Sequence, residues 1–262
     1  MTTNSDAGTP SVKEVCDFIT RYCSWLVGCG ATCIRVEKNV GRIARAYGKE
    51  ADISIMPRHV HVSVVDDDSH ESMTSICKVK NTPISFNINT RLSELSWEIA
   101  DGKVDFGDAV RRFDEIVDND SQNCWVVLLL VTLANASFCR LFGGDFTAMA
   151  IVGVATAVGY FLKLTMLSRG IDMRVVFIAC SFVSAVLGAT DVLFSLGDTP
   201  LVALGTSVLY LVPGIPFLNS FSDMLYRHYI CAISRFTDAV VLTCCLSIGL
   251  CGGMMLMNVG MF

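Results

Sequence analysis

The chain has 262 residues, of which 52% are hydrophobic and only 17% charged, and its mean hydropathy is +0.53. Because a typical soluble domain has about 25% charged residues, this composition argues against a wholly soluble protein. The net charge of −5 gives no basic footprint of the kind that nucleic-acid-binding proteins carry, so nucleic acid is not expected as a partner.

Charge is concentrated in the N-terminal part of the chain. Residues 1–120 hold 33 of the 45 charged residues and the whole net charge of −5, whereas residues 121–262 have a net charge of zero. This asymmetry predicts a soluble domain over 1–120 and a membrane domain over 121–262. The polar start has no apolar segment typical of a secretory signal, and the twelve cysteines are interpreted as free thiols in a reducing compartment.

The first 120 residues combine helical and strand patterns. Apolar residues at helical spacing and cap residues predict helices over 11–28, 31–47, 91–100 and about 106–117. Alternating patterns predict strands over 51–56 and 59–65, with shorter candidates over 76–80 and 84–88. Asn89 or Thr90 is expected to cap the third helix, and Asp105 the fourth. The soluble part is therefore predicted to be α+β.

Five apolar segments follow, each near the length of about 20 residues that crosses a bilayer. They are predicted at about 124–142, 146–166, 174–196, 199–218 and 236–259. The gap after the second segment contains Arg169 and Arg174, whereas the gap after the third, 196–198, has no basic residue. Since basic gaps face the cytoplasm, the N-terminal domain is predicted to be cytoplasmic and the C-terminus outside.

The fourth segment contains an unusual interruption. Pro213, Gly214 and Pro216 lie within an apolar stretch, where prolines remove backbone donors and glycine permits a sharp bend. Such a break persists in a membrane only inside protein or beside water. A helix restarting near Phe217 would present a partly positive N-terminus, which suits a substrate carboxylate.

Polar residues follow this break. Asn219, Asp223 and Arg227 recur every fourth position and are predicted to share one helix face. With Ser220 they offer hydrogen bonds and both signs of charge, which suits a zwitterionic substrate, and Asp223 is a candidate to carry a coupling proton. A proline kink with an Asp–Arg pair is the structural alternative.

Asp191 lies deep in the third apolar segment, within GATDVLF. Ionisable groups inside a membrane are rare and mark substrate or proton pathways, or pair with neighbouring helices. Asp191 is therefore a second candidate for proton coupling, with pairing to a neighbouring helix as the alternative.

Metal binding and hydrolytic chemistry find little support. His59 and His61 share a strand face near Asp66, Asp67 and Asp68, but no third ligand has a fixed spacing, so no metal is predicted. The chain has no Walker A, GxSxG or HExxH motif, and neither an enzymatic activity nor a cofactor is predicted.

Three stretches resemble the threonine/serine exporter family. They are GATCIRVEKNVGRIARAYG (30–48), LANASFCRLFGGDF (133–146) and LVPGIPFLNSFSDMLYRHYICAISR (211–235). The resemblance follows nearly the whole chain in order. The motif matches carry over Gly30, Arg35, Glu37, Pro213, Gly214, Asn219, Asp223 and Arg235. Spacing alone gives Arg35 and Glu37 no role, but the resemblance points to conformational or interface roles for Gly30, Arg35, Glu37 and Arg235.

The resemblance implies proton-driven export of small amino acids, threonine and serine, across a bacterial inner membrane. The length is similar to the larger half of a split exporter, so a smaller membrane subunit and an oligomeric assembly are expected as partners. Some split members are associated with succinate export instead. A membrane-anchored regulatory or sensor protein, and an anchored cytoplasmic hydrolase, are the alternative functions.

Overall fold

The computed structural model describes residues 10–66, 69–118, 123–194 and 196–259. The predicted domain boundary at 120 and the residues Asp67 and Asp68 lie outside these ranges. The chain divides into two compact units. The first unit comprises Met1–Ser121 and Ile215–Phe236, and the second comprises Gln122–Gly214 and Thr237–Phe262.

The described part of the chain is mostly helical, with one small sheet near its N-terminus. The N-terminal elements are α1 (Val12–Gly28), α2 (Cys33–Ala46), β1 (Glu50–Ile55), β2 (His59–Val65), β3 (Ser72–Lys78), α3 (Phe86–Ala100) and α4 (Phe106–Asp118). The elements that follow are α5 (Cys124–Leu141), α6 (Phe146–Ser168), α7 (Met173–Gly188), α8 (Thr190–Phe194), α9 (Pro200–Thr206), a 3₁₀ turn (Leu209–Leu211), α10 (Gly214–Leu225) and α11 (Tyr229–Leu256).

The core of the first unit forms where α1 packs on an antiparallel sheet of order β1-β2-β3. The central strand β2 alternates strictly, and its Val60, Val62 and Val64 are fully buried. The opposing face of α1 buries Ile19 and Tyr22 at helical spacing. Helices α2, α3 and α4 then pack successively, α2 on α3 and α3 on α4. Burial of apolar area of this kind stabilises the fold by roughly 25 cal/mol per Å².

The sequence predicted α1, α2, β1 and β2 within a few residues, and Asp105 caps α4 as expected by accepting from Asp108 N. The predicted strand over 84–88 is wrong because α3 begins at Phe86. The cap of α3 is Ser85, whose hydroxyl accepts from Ile88 N, and not Asn89 or Thr90. The alternation that suggested a strand is incidental, since Phe86 is 60% exposed.

The chain from Cys124 onward contains long apolar helices compatible with a membrane protein. Within the described residues, four segments are long and apolar enough to cross a membrane: Cys124–Leu141, Phe146–Ser168, Met173–Phe194 and Tyr229–Leu256. A fifth candidate is the pair Pro200–Leu211 and Gly214–Leu225, which is bent by 61°. The break predicted from Pro213 is therefore present, and α10 restarts at Gly214.

Helices α7 and α11 approach each other closely through two glycines. A methyl group on Gly249 would collide with Ser181 and with the Ile178 carbonyl, and one on Gly253 would collide with Ala185 and the Phe182 carbonyl. Small residues four apart allow such close backbone approach between membrane helices. This glycine seam, the contact that Gly249 and Gly253 make with α7, fixes α11 against α7 over about one turn.

Candidate functional site

The candidate site in the first unit starts from the turn between α1 and α2. Gly30 has φ +89°, a conformation that favours glycine, and a Cβ there would meet the Ile84 side chain tightly at 3.1 Å. Helix α2 begins at Cys33, and Thr32 at its N-cap makes no side-chain capping bond. Since the first N–H groups of a helix have no partner within the helix, α2 needs an acceptor from elsewhere.

Asp223 of α10 supplies that acceptor. Its Oδ1 accepts from the Cys33 backbone N–H at 2.8 Å, and its Oδ2 accepts from Arg235 Nη1 at 2.8 Å. The Asp223 side chain is fully buried. Both carboxylate oxygens are thus engaged, one by the positive end of α2 and one by a guanidinium, and such charge-assisted bonds are the stronger ones.

Two further bonds hold the turn before α2. Arg235 Nη2 donates to the Ala31 carbonyl, and Asn219 Nδ2 donates to the Gly30 carbonyl, each at 2.8 Å. The residues joined in this way form one network, which we call the Asp223 cluster: Gly30, Ala31, Cys33, Asn219, Asp223 and Arg235. Residues about 190 positions apart in the sequence are brought together here.

Ser220 lies next to the cluster and joins α10 to α11, because its hydroxyl donates to the Ala232 carbonyl at 2.7 Å. Arg235 therefore reaches Asp223 from a segment that is itself tied to α10. Phe217 and Phe236 pack edge to face with ring centroids 5.8 Å apart. These contacts fix the geometry of the buried ion pair.

Arg35 and Glu37 have separate partners, as their spacing on α2 requires. Arg35 Nη1 donates to Asn89 Oδ1 of α3 at 3.1 Å. The Glu37 carboxylate lies 3.4 Å from His228 Nε2, just before α11. Glu37 therefore contacts the same C-terminal segment as the Asp223 cluster, whereas Arg35 joins α2 to α3.

Two cysteines at the edge of the cluster were not singled out from the sequence. Cys33 and Cys231 are both buried, and the Cys231 thiol donates to the Ile55 carbonyl at 3.2 Å. A hydrogen bond with Cys231, together with burial, raises the pKa of the Cys33 thiol. Only the three-dimensional contact between the starts of α2 and α11 shows that these thiols are neighbours.

The remaining residues predicted at the break lie apart from the cluster. Pro213 is buried ahead of α10, and Pro216 lies in its first turn. Arg227 does not share a face with Asn219 and Asp223, and that prediction is wrong, because α10 ends at Leu225. Arg227 is exposed and has φ +66° in the turn before α11.

Asp191, in the second unit, has a different environment. Its side chain is fully buried, its Oδ1 accepts from the Gly197 N–H at 2.8 Å, and its Oδ2 has no hydrogen-bond partner among the described residues. The adjoining loop is also held by Asp145, which accepts from Asp198 N at 2.7 Å. Hydrogen bonds from the Ala148 and Asp198 backbones lower the pKa of Asp145.

Comparison with known proteins identifies a protein family to which the chain is similar. The family model described as "Putative threonine/serine exporter" matches residues 17–257. The chain is 27% identical over 236 residues to "Probable succinate transporter subunit YjjP" of Klebsiella aerogenes, and 25% identical over 237 residues to the protein of that name from Escherichia coli (strain K12). Each match covers 88% of this chain and 91% of the relative.

No solved structure matches the chain. The family match covers both the turn at Gly30 and the segment from Pro213 to Arg235, so every residue of the Asp223 cluster lies within it. The family is one of transporters and not of enzymes. The chain therefore belongs to the threonine/serine exporter family.

Proposed function

We propose that the chain is one subunit of a secondary active exporter of small carboxylate-bearing metabolites, working with a second, smaller membrane subunit. The observation that carries this proposal is the family match over residues 17–257. Two further observations support it: the relatives are named as transporter subunits, and a bent helix pair interrupts an apolar segment. Discontinuous helices of this kind form substrate sites in many secondary transporters.

Two classes of substrate fit this proposal, and both carry a carboxylate. The relatives that align along most of their length are named for succinate, which favours a dicarboxylate as the first candidate. The family description names threonine and serine, which makes these amino acids the second. A proton antiport mechanism would serve either substrate.

The proposed topology places the N-terminal domain in the cytoplasm and the C-terminus outside a bacterial inner membrane, with the bent pair counted as one of five spans. The basic gaps support this orientation. A contact within the second unit also supports it, because Asp145 accepts from Asp198 N. The gap after the first span and the gap after the third are thus in contact, as two gaps on the same side of the membrane can be.

The segment from Pro213 to Asp223 is proposed as one wall of the substrate pathway. Asn219 and Asp223 are occupied by bonds to Gly30, Cys33 and Arg235. A substrate could use these side chains only after those bonds separate. We therefore propose that the Asp223 cluster is a closed gate, which joins the turn at Gly30 to α10 during part of the transport cycle.

Transport in proteoliposomes tests the proposed function. The chain would be reconstituted alone and together with the smaller subunit, and uptake and counterflow of labelled succinate, threonine and serine would be measured. Succinate flux that needs both subunits supports the first candidate, and amino-acid flux supports the second.

A variant pair makes this test specific for the gate. Asp223→Asn is expected to impair flux, whereas Leu225→Ala, exposed at the end of α10 and outside the segment from Pro213 to Asp223, should not. Absence of flux of all three substrates, with both subunits folded and bound, would contradict the proposal and favour a regulatory membrane protein.

A further inference from the structure

The carboxylate of Asp191 is an unexplained polar group of the second unit. It is fully buried, and within the described part of the chain one of its two oxygens has no hydrogen-bond partner. Buried polar atoms are nearly always paired, and an exception calls for an explanation. An ionised carboxylate with an unpaired oxygen is costly to bury, whereas a neutral carboxylic acid is much less so.

The described surroundings of Asp191 offer no counter-charge. Among the described residues, no Lys, Arg or His nitrogen lies within 4.0 Å of it, although ion pairs of that length occur elsewhere in the structure. Its helix α8 packs against α6, α7 and α9. Helix α9 has no charged residue.

The other two neighbouring helices, α6 and α7, carry positively charged residues, but these lie far from the Phe146 end of α6 and the Gly188 end of α7. Lys163 of α6 is roughly 26 Å from the Phe146 end, and Arg174 of α7 is roughly 21 Å from the Gly188 end, at about 1.5 Å per residue. Helix α11, whose Met254 packs near Ala189, carries no charged residue after Asp238.

The charged groups beside the loop that follows α8 have other partners or are exposed. Asp145 at the start of α6 is held by the Ala148 and Asp198 backbones. Arg140 lies near Asp145 and donates to the Gly144 carbonyl at 3.0 Å. Asp198 is exposed. None of these groups forms an ion pair with Asp191 within the described part of the chain.

We propose that Asp191 is the group that binds the coupling proton, and that Asp223 is not. A proton taken from water would form an O–H bond at Oδ2, while Oδ1 keeps its bond from Gly197 N, and the same proton would return to water on release. Both oxygens of Asp223 are already engaged by Cys33 N and Arg235. This inference rests on the proposed transport function and adds the residue at which protons enter it.

The protonation itself can be tested without any substrate. Infrared difference spectra of the full chain with its partner subunit, recorded across a pH series, should contain the C=O stretching band of a protonated carboxylic acid. We expect Asp191→Asn to remove that band and Asp198→Asn, in the same loop but exposed, to leave it. A band that is absent from the wild type, or that persists in Asp191→Asn, would overturn the proposal even if the protein transports succinate.

The consequence for transport is tested with the same variants in proteoliposomes. Asp191→Asn should lose accumulation driven by a pH gradient but keep substrate exchange, which needs no net proton movement. Asp191→Glu should restore driven accumulation, and Asp198→Asn should resemble the wild type. Driven accumulation that survives in Asp191→Asn, or that follows a sodium gradient instead of a pH gradient, would overturn the assignment.

A failure of the proposed transport function can be distinguished from a failure of the inference about Asp191. If the wild type moves no substrate, the proposed function fails, whereas the infrared titration still decides whether Asp191 binds a proton. If the wild type transports and Asp191→Asn is folded but has lost exchange as well, Asp191 serves substrate binding or structure and the inference is wrong.

Discussion

Asp223 and Asp191 are both fully buried, yet their carboxylates have very different hydrogen-bond partners. Asp223 accepts from a helix N-terminus and from a guanidinium, so that both oxygens are paired. Asp191 accepts a bond from Gly197 N, and its second oxygen has no partner in residues 10–66, 69–118, 123–194 and 196–259. Because burial is the same in both, the two acids differ in their hydrogen-bond and charge partners, and it is this difference on which the proposed roles rest.

The largest expected effect is at Asp223. Asp223→Ala would leave Arg235 and the Cys33 N–H without their acceptor, and breaking a buried ion pair from one side destabilises by about 3–5 kcal/mol. Thermal unfolding of the purified protein and hydrogen exchange of the first turn of α2 would measure this loss. Asp223→Asn, which can still accept from Cys33 N, should lose less. Wild-type stability of Asp223→Ala would remove the distinction between the two acids.

A smaller effect is expected at Asn219. Asn219→Ala removes the donor to the Gly30 carbonyl, and an unpaired backbone acceptor costs about 1–2 kcal/mol. The same unfolding measurement, with Leu218→Ala on the exposed face as the control, isolates the hydrogen bond from general effects on α10. Equal losses in the two variants would show that the bond to Gly30 contributes nothing specific.

Asp191→Asn should change stability by less than about 1 kcal/mol, because the amide keeps an acceptor for Gly197 N and removes a carboxylate with an unpaired oxygen. Its free energy of unfolding, compared with that of Asp223→Ala, tests whether the two acids differ in their contribution to stability. A loss as large as that of Asp223→Ala would mean that the charge of Asp191 is required for folding, which contradicts its proposed neutral state.

The smallest effect is a change in thiol reactivity. Because a hydrogen bond with Cys231, burial and the nearby Asp223 raise the pKa of the Cys33 thiol, its reactive thiolate is scarce near neutral pH and increases only at more alkaline pH. Alkylation of Cys33, followed by mass spectrometry, should be slow in the wild type and faster in Asp223→Ala. The exposed Cys124 serves as the control. Fast alkylation of Cys33 in the wild type would indicate an open cluster.

Sequence reasoning found the parts of the site whose signals are local. Helical spacing located α1 and α2, and the two prolines indicated the break before α10. The strand predicted over 84–88 failed because the cap at Ser85 outweighs a short alternation of apolar residues. Arg227 was placed on the face of Asn219 and Asp223 because four-residue spacing does not reveal where a helix ends.

The contacts of the Asp223 cluster could not be read from spacing. Asp223 and Cys33 are separated by 190 positions, and no local pattern specifies such a pairing. The resemblance carried over Gly30, Asn219, Asp223 and Arg235 one by one, as substrate or conformational residues. The bonds that join them, and the neighbouring thiols of Cys33 and Cys231, required the three-dimensional structure.

The glycine seam between α7 and α11 has a mechanical consequence. With almost no side-chain volume between the two backbones at Gly249 and Gly253, a sliding or rotating movement of one helix against the other would force atoms into contact. Any rearrangement would therefore move the two helices together as one rigid body. Because α7 ends at Gly188 and α8 starts at Thr190, this joint movement would shift the position of Asp191 and thereby its access to water.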